Sequence, residues 1–379
     1  RQRYWGEPLP LVHCEDGSIQ PVPYDDLPVE LPEVESYKPA GTGESPLAKV
    51  EEWVNTGCPG GGTGLRETNT MPQWAGSCWY YLRFLDPQNT KEPFSREAVD
   101  YWMPVDLYVG GQEHAVLHLL YARFWHKVLY DIGLVNTNEP FVRLVNQGMI
   151  LGPDGQRMSK SRGNVVNPDD VVAEYGADCL RVYEMFMGPL PADKPWSTKG
   201  ISGAHRFLDR VWRLSEFELR DDEPPEELTR LLHKTIKKIT NDTDALELNT
   251  AIAQMMIFVN ELTKLETNYR GLWDAFVRLL SPYAPHLAEE LWEKLGNKPP
   301  VSLAEWPSYD EDLTVDEVVT IVVQVNGKVR DRFEAEIDAP EEQVKEEALA
   351  LDRIKEFTAG KTVKKVVAVP NRLVNIVVG

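Results

Sequence analysis

Two groups of residues in this chain have types and spacings that could act on a nucleotide. The first is Gly110-Gly111-Gln112-Glu113-His114, with His118 four residues further on. Backbone amides at a glycine turn that opens a helix can meet an anion. The Glu113 carboxylate could accept hydrogen bonds from both hydroxyls of a ribose. His114 and His118, four apart, share one face of a helix and could donate to phosphate or carbonyl oxygens. The second group is Arg157-Met158-Ser159-Lys160-Ser161. A lysine on a mobile loop can stabilise charge growing on the α-phosphate and pyrophosphate of a nucleotide, often the largest catalytic term. Two other readings stand beside these. The histidines could be ordinary helix residues, or a metal pair as in a metal-dependent hydrolase. Against the metal, Glu113 precedes His114, whereas the metalloprotease motif places glutamate directly after the first histidine.

The elements that must position these groups can be read around them. Val105–Val109 is a short apolar run with β-branched ends, which predicts a buried parallel strand. From Gln112 the pattern turns helical, through Leu119, Ala122 and Leu129, to a C-terminal cap at Gly133. Leu144–Ile150 is a second strand, Pro153-Asp154-Gly155 a turn, and Arg157–Ser161 an exposed loop. Asn167-Pro168-Asp169-Asp170 caps a helix, and another runs from Cys179 to Met187. A strand, a glycine turn, a helix and a further strand are the parts of a nucleotide site at the carboxyl ends of parallel strands.

Upstream, residues 1–70 are rich in Pro and Gly. They hold at most short strands, Leu9–Cys14 and Ile19–Val22 about an Asp16-Gly17 turn, and a helical turn at Glu51–Val54. Gly57–Gly64 reads as a flexible linking loop. An aromatic stripe follows, in which Ser77–Arg83 starts a helix with one face free to line a pocket. Residues 200–295 carry helical periodicity and predict an antiparallel bundle. A Pro- and acid-rich linker follows. The last segment has a β-branched run at Val318–Val325, an Asn326-Gly327 hairpin, a helix from Glu341 to Phe357 and two strands about Pro370-Asn371. This small α+β domain gathers Lys361, Lys364, Lys365 and Arg372.

Composition bounds the rest. The chain has 379 residues, 42% hydrophobic and 9% aromatic, enough for two or three packed domains. A net charge of −20 argues against nucleic acid as a partner of the whole surface, although a local basic face can sit on an acidic enzyme. The four cysteines form no C-x-x-C pair and read as free thiols of a reducing cytosol. No apolar run is long enough to span a membrane, and no signal peptide is present, so a cytoplasmic protein is expected.

In combination these motifs resemble bacterial-type leucyl-tRNA synthetase, a class I aminoacyl-tRNA synthetase. The likeness is carried by Tyr108-Val-Gly-Gly-Gln-Glu-His-Ala-Val-Leu-His, Asn146-Gln-Gly-Met and Arg157-Met-Ser-Lys-Ser. It extends through Arg1-Gln-Arg-Tyr-Trp-Gly, Arg66-Glu-Thr-Asn-Thr, Ser77-Cys-Trp-Tyr-Tyr, Tyr175-Gly-Ala-Asp, Val323-Gln-Val-Asn-Gly-Lys-Val-Arg and Leu373-Val-Asn-Ile-Val-Val-Gly. It therefore covers essentially the whole chain. It implies an α/β fold: the second half of a class I Rossmann-type catalytic domain over 1–199, a helical anticodon-binding-type domain over 200–298, a linker over 299–314 and a small α+β tRNA-binding domain over 315–379.

The reaction it implies is activation of leucine by ATP with Mg²⁺ to leucyl-adenylate, then transfer to the 3′ adenosine of tRNA(Leu). Gly110, Gly111 and Glu113 would hold the adenylate backbone and ribose, with Gln147 near the adenylate linkage and Arg157 and Met158 beside the nucleotide. Cys78, Tyr81, Tyr108, His114 and His118 would line the leucine pocket. Lys160, His114 and His118 would be catalytic. Arg206, Arg210 and Arg213 on the bundle, with Lys361, Lys364, Lys365 and Arg372 on the last domain, would meet the tRNA. Three departures from the family pattern stand out. The loop opens with Arg157 rather than Lys, which changes geometry at equal charge. Cys78 replaces a serine. The connection from Met149 to Arg157 is short. The His-x-Gly-His signature and the editing domain do not occur in this sequence. The expectation is therefore a fragment or one half of a split enzyme, inactive without an amino-terminal half. The rival reading is a non-catalytic tRNA-binding or assembly module.

Overall fold

A computed structural model describes residues 1–34, 36, 38, 43–71, 73–265, 268–315 and 318–379. The chain forms two compact units, residues 1–150 with 191–194, and residues 151–190 with 195–379. The division falls before the lysine loop, so that loop belongs to the second unit.

The first unit begins with a small antiparallel sheet of Leu11–Cys14 (β1), Ile19–Pro21 (β2), Asn55–Gly57 (β3) and Thr63–Arg66 (β4) in the order β2-β1-β4-β3. The Asp16-Gly17 turn joins β1 to β2 as expected, and Glu51–Val54 (α1) is the expected helical turn. Gly57–Gly64 is not a linking loop. Its ends are strand residues, and Gly61 and Gly62 supply the positive φ of 99° and 88° that turns the hairpin. The hairpin brings Cys58 against β1, where it forms a disulfide with Cys14 across 44 residues. The free-thiol expectation therefore fails for this pair and describes only Cys78 and Cys179, both buried. Spacing alone could not show it, because the pairing depends on strand register.

The helices Gln73–Ser77 (α2), Tyr80–Arg83 (α3) and Arg96–Trp102 (α4) lead into Val105–Gly111 (β5). After a 3-10 turn over Gln112–Val116 comes His118–Asp131 (α5), then Phe141–Gln147 (β6). β5 and β6 pair in parallel, as the apolar runs predict. Leu82, Phe94, Val99, Met103, Ala122, Leu129 and Val135 form the core, with Val105 and Phe141 packed against it. Gly133, at φ 78°, ends α5: its N–H reaches Tyr130 O and that of Leu134 reaches Leu129 O. The expectation of a buried strand is corrected in one respect. Leu107 and Val109 lie on one face of the pair and Leu144 on the other, all uncovered.

The chain crosses between the units at Ile150–Leu151 (β7) and at Lys194–Pro195 (β8). In the second unit, Pro168–Tyr175 (α6) is capped by the Asn167 side chain, and Ala177–Phe186 (α7) follows. The bundle is Thr198–Leu214 (α8), Glu226–Ala245 (α9), Leu248–Leu265 (α10), Arg270–Leu280 (α11) and Pro285–Lys294 (α12). Leu219–Arg220 (β9) and Asn268–Tyr269 (β10) form a short parallel bridge between its ends. Phe207, Ile239, Ile252, Phe258 and Phe276 are fully buried, and Phe276 stacks on both Phe258 and Trp273. The start of α12 is capped from another helix. Asp178, on α7, accepts the Leu287 N–H at 2.7 Å and the His286 ring Nδ1 at 2.7 Å. The expected linker over 299–314 is tied along α9, where Trp306 Nε1 donates to Thr240 and the Asp310 N–H to His233.

The last segment is Val318–Val325 (β11), Lys328–Glu336 (β12), Glu341–Ala350 (α13), Asp352–Thr358 (α14), Val363–Val369 (β13) and Leu373–Val378 (β14), with sheet order β12-β11-β14-β13. Asn326 and Gly327 both take positive φ, as the hairpin reading requires. The single helix expected from Glu341 to Phe357 breaks at Leu351, whose ψ of 131° is extended. One side of the sheet buries Ile321, Val323, Val374 and Ile376 against Val344, Ala348 and Ile354.

Candidate active site

In the first unit the strand ends bring together three of the expected binding residues. Gly110 and Gly111 close β5, and the register sets Gly111 beside Gln147 at the end of β6. Gly111 has an ordinary φ of −63°, so its backbone does not call for glycine. A Cβ there would fall 2.5 Å from the Glu113 carboxylate, which folds back over the strand end. Gly148 is tighter still: a Cβ would lie 2.2 Å from the Ala192 carbonyl. Beside it, the Met149 N–H donates to Asp193 at 2.6 Å. Reading for strand and helix periods gave no signal for Gly148, because its partner is 44 residues away.

His114 and His118 are brought together, although not on one helix. His114 lies in the 3-10 turn, Leu117 breaks the chain at φ −119° and ψ −107°, and His118 is the first residue of α5. Their rings still meet edge to face at 6.2 Å. His118 is buried, and burial followed by the neighbouring His114 lowers its pKa from the ordinary imidazole value. Its Nδ1 is 3.3 Å from the Ser77 hydroxyl. Its Nε2, and Nδ1 of His114, are buried without a hydrogen-bond partner. Such atoms are costly in a folded core and are tolerated where a ligand supplies the partner. Among the described residues no three His, Cys, Asp or Glu side chains are grouped to hold a metal ion, so the hydrolase reading has no ligand set here.

The tyrosine that joins this cluster is Tyr80. Its ring lies 5.7 Å from that of His118, and Tyr108 stacks on His118 at 6.3 Å. Burial and Tyr80 push the Tyr108 hydroxyl up to about 12, so it stays protonated. Tyr81, assigned to the pocket from the sequence, points into the core instead. It is buried against Phe141, and its hydroxyl pairs with Nδ1 of buried His126 at 2.8 Å. Cys78 is also a core residue. Its thiol faces the Ala75 carbonyl at 2.7 Å, and burial pushes its pKa up to about 11, which makes it inert. Successive residues of a helix point about 100° apart, so Tyr80 and Tyr81 of α3 meet different surroundings, and the sequence did not show which one faced the histidines.

The lysine loop is in the second unit. Arg157 and Lys160 are exposed, and Met158 is half-buried. Lys160 opens a 3-10 turn to Arg162 that ends at Gly163 with φ 66°. At the base of the loop the Ser159 N–H donates to the Asn164 side chain at 2.9 Å.

Residues 1–197 match the family model described as tRNA synthetases class I (I, L, M and V), and residues 226–346 match the anticodon-binding domain of tRNA ligase. The chain belongs to the class I tRNA synthetases. Among solved structures it is similar over 100% of its length to LeuRS of Agrobacterium radiobacter K84 (agnB2), in a ternary complex with tRNA and LeuAMS, at 35% identity and a TM-score of 0.77. It spans about half of that protein, 51%. A Mycobacterium tuberculosis methionyl-tRNA synthetase with methionyl-adenylate matches 63% of this chain and 56% of its own at 18% identity, with a TM-score of 0.49.

In this synthetase the residues expected to meet tRNA are placed as follows. Arg206, Arg210 and Arg213 form a stripe along α8, beside the buried stripe of Ala204, Phe207, Val211 and Leu214. Arg206 and Arg213 are exposed, while Arg210 donates to Asn260 on α10 at 2.5 Å. In the last segment Lys361, Lys364 and Lys365 lie at one end of β13, and Lys361 caps the Phe357 carbonyl. Arg372 is in the turn at the other end of that strand, so the four do not form one cluster.

Proposed function

We propose that the chain contributes the strand-end and lysine-loop parts of a leucine-activating site. ATP with Mg²⁺ and leucine enter as substrates; leucyl-adenylate and pyrophosphate leave the first step, and the 3′ adenosine of tRNA(Leu) receives the leucyl group. The likeness to a LeuRS along the whole chain carries this reading. Within it, Gly110, Gly111 and Gln147 line the adenylate at the strand ends, and Glu113 accepts from the ribose hydroxyls. His114 and His118 donate to the leucine and phosphate oxygens through their unpartnered nitrogens. Tyr80 and Tyr108 wall the leucine side chain. Arg157 and Met158 border the nucleotide, and the Lys160 ammonium offsets charge on the departing pyrophosphate. The arginine stripe on α8 and the lysines of β13 meet the tRNA.

The partner this reading calls for is an amino-terminal half of the catalytic domain. It would cover the apolar residues that β5 and β6 leave open on both faces, as a parallel sheet requires. The setting would be the cytoplasm. The runner-up, a tRNA-binding module without catalysis, is favoured by the self-contained bundle but leaves the buried imidazole nitrogens unexplained. Transfer of labelled leucine to tRNA(Leu) by the chain mixed with such a half separates the two readings. Charging lost in Lys160→Ala supports catalysis; binding of tRNA with no charging under any condition supports the module.

A further inference from the structure

The lysine loop is closed at its base by a residue outside the pentapeptide. Oδ1 of Asn164 accepts the Ser159 N–H at 2.9 Å, one residue before Lys160. Nδ2 of the same amide donates to the Asp154 carboxylate at 3.1 and 3.2 Å and to the Arg157 carbonyl at 3.3 Å. Asp154 in turn accepts the Gln156 N–H at 3.0 Å. Beneath them Gly152 is buried. A Cβ there would lie 2.7 Å from the Asp154 carboxylate and 2.8 Å from Nδ2 of Asn164. A side chain at this position would press on both members of the clasp. Asn164 holds the backbone on both sides of Arg157-Met158-Ser159, whereas Lys160 itself is exposed.

We propose that Asn164, clasped to Asp154 over Gly152, is a positioning residue for Lys160. It fixes the chain at Arg157 and Ser159, so that the lysine leaves the loop from one point and in one direction. The inference rests on the role given to Lys160 above and names the residue that makes that role effective. An ammonium on a long flexible stem is useful in a transition state only if its anchor is fixed. Displacement of a catalytic group by about 1 Å costs on the order of 100-fold in rate.

Two measurements test it separately from the proposed function. The first is amide exchange in this chain alone. Asn164→Ala should speed exchange at Ser159 at least several-fold while far-UV circular dichroism and the bundle's unfolding midpoint stay the same. The second is leucine-dependent ATP–pyrophosphate exchange by the chain supplied with an amino-terminal half. Asn164→Ala should lower kcat about 10- to 100-fold with little change in KM for leucine. Asn164→Asp, which sets two carboxylates together, should be at least as poor. Adding Asp154→Asn to it restores a donor facing an acceptor and should recover part of the rate. Unchanged Ser159 exchange overturns the clasp. Unchanged kcat, or a double variant no better than Asn164→Asp, overturns the positioning role. Absence of leucine exchange in the unaltered chain mixed with a half shown to associate tells against the proposed function, while the Ser159 measurement still decides the clasp.

Discussion

The two units bury their apolar residues to very different extents. In the bundle, Phe207, Phe258 and Phe276 are 0% exposed, and even the start of α12 finds its cap in Asp178 from α7. In the first unit, Val109 is 52% and Val142 68% exposed on strands whose sequence reads as fully buried. The bundle covers its apolar faces with its own helices, although Nε of Arg278 and Oε1 of Glu289 are also buried without a partner. The β5–β6 pair buries Val105 and Phe141 at one end and leaves apolar residues open on both faces beyond them. Unpartnered nitrogens of His114 and His118 occur in the same open unit. Uncovered apolar strands and unmet buried polar atoms together mark a surface shaped for contacts outside the unit.

The largest effect that would test this contrast is chemical. In the chain mixed with an amino-terminal half, Lys160→Ala should lower leucine-dependent ATP–pyrophosphate exchange by about 100- to 1000-fold while leaving both units folded. Equal rates in both proteins would remove the catalytic reading of the loop. Next comes packing. Phe258→Ala should destabilise the bundle by about 3–5 kcal/mol in urea unfolding. Val142→Ser on the open strand should change the stability of the chain alone by no more than about 0.5 kcal/mol. It should nevertheless weaken association with an amino-terminal half. A large stability loss for Val142→Ser would mean the strand is already covered. Asp178→Ala removes a charged cap and should cost the second unit about 2 kcal/mol by the same unfolding assay.

The smallest effect concerns pH. Burial depresses the His118 pKa below its reference of 6.5. Above that value the ring is neutral in both the folded and unfolded chain. As pH falls through it, the unfolded chain takes up the proton first, so the first unit loses stability on the acid side. His118→Asn should flatten that acid limb in unfolding monitored between pH 5 and 7. A limb of the same steepness in the variant would assign it to another group.

Local chemistry was legible in the sequence wherever a residue type implies its own backbone. Gly133 ended α5, Asn326-Gly327 turned the hairpin, and Asn167 capped α6 as expected. The paired strand ends with Gly111 and Gln147 followed from the apolar runs that precede them. Features set by contacts distant in sequence were not legible. The Cys14–Cys58 bond depends on the register of two hairpins. Tyr80 replaces Tyr81 beside His118, and a helix of 4 residues is too short for a hydrophobic period to show which would face inward. The break at Leu117 moves His114 off α5, yet aromatic packing keeps the two rings together. Asn164 was silent because its three partners, Ser159, Arg157 and Asp154, lie five to ten residues back, across a turn that only the fold closes.

The central claim is that this chain holds a preformed half of a leucine-activating site. The most direct measurement is leucine-dependent ATP–pyrophosphate exchange, recorded for the chain alone and again after addition of a separately produced amino-terminal half. The account predicts negligible exchange alone, strong exchange in the mixture, and a marked preference for leucine over isoleucine and valine. No exchange in a mixture shown to associate, or equal exchange with the three amino acids, would contradict it.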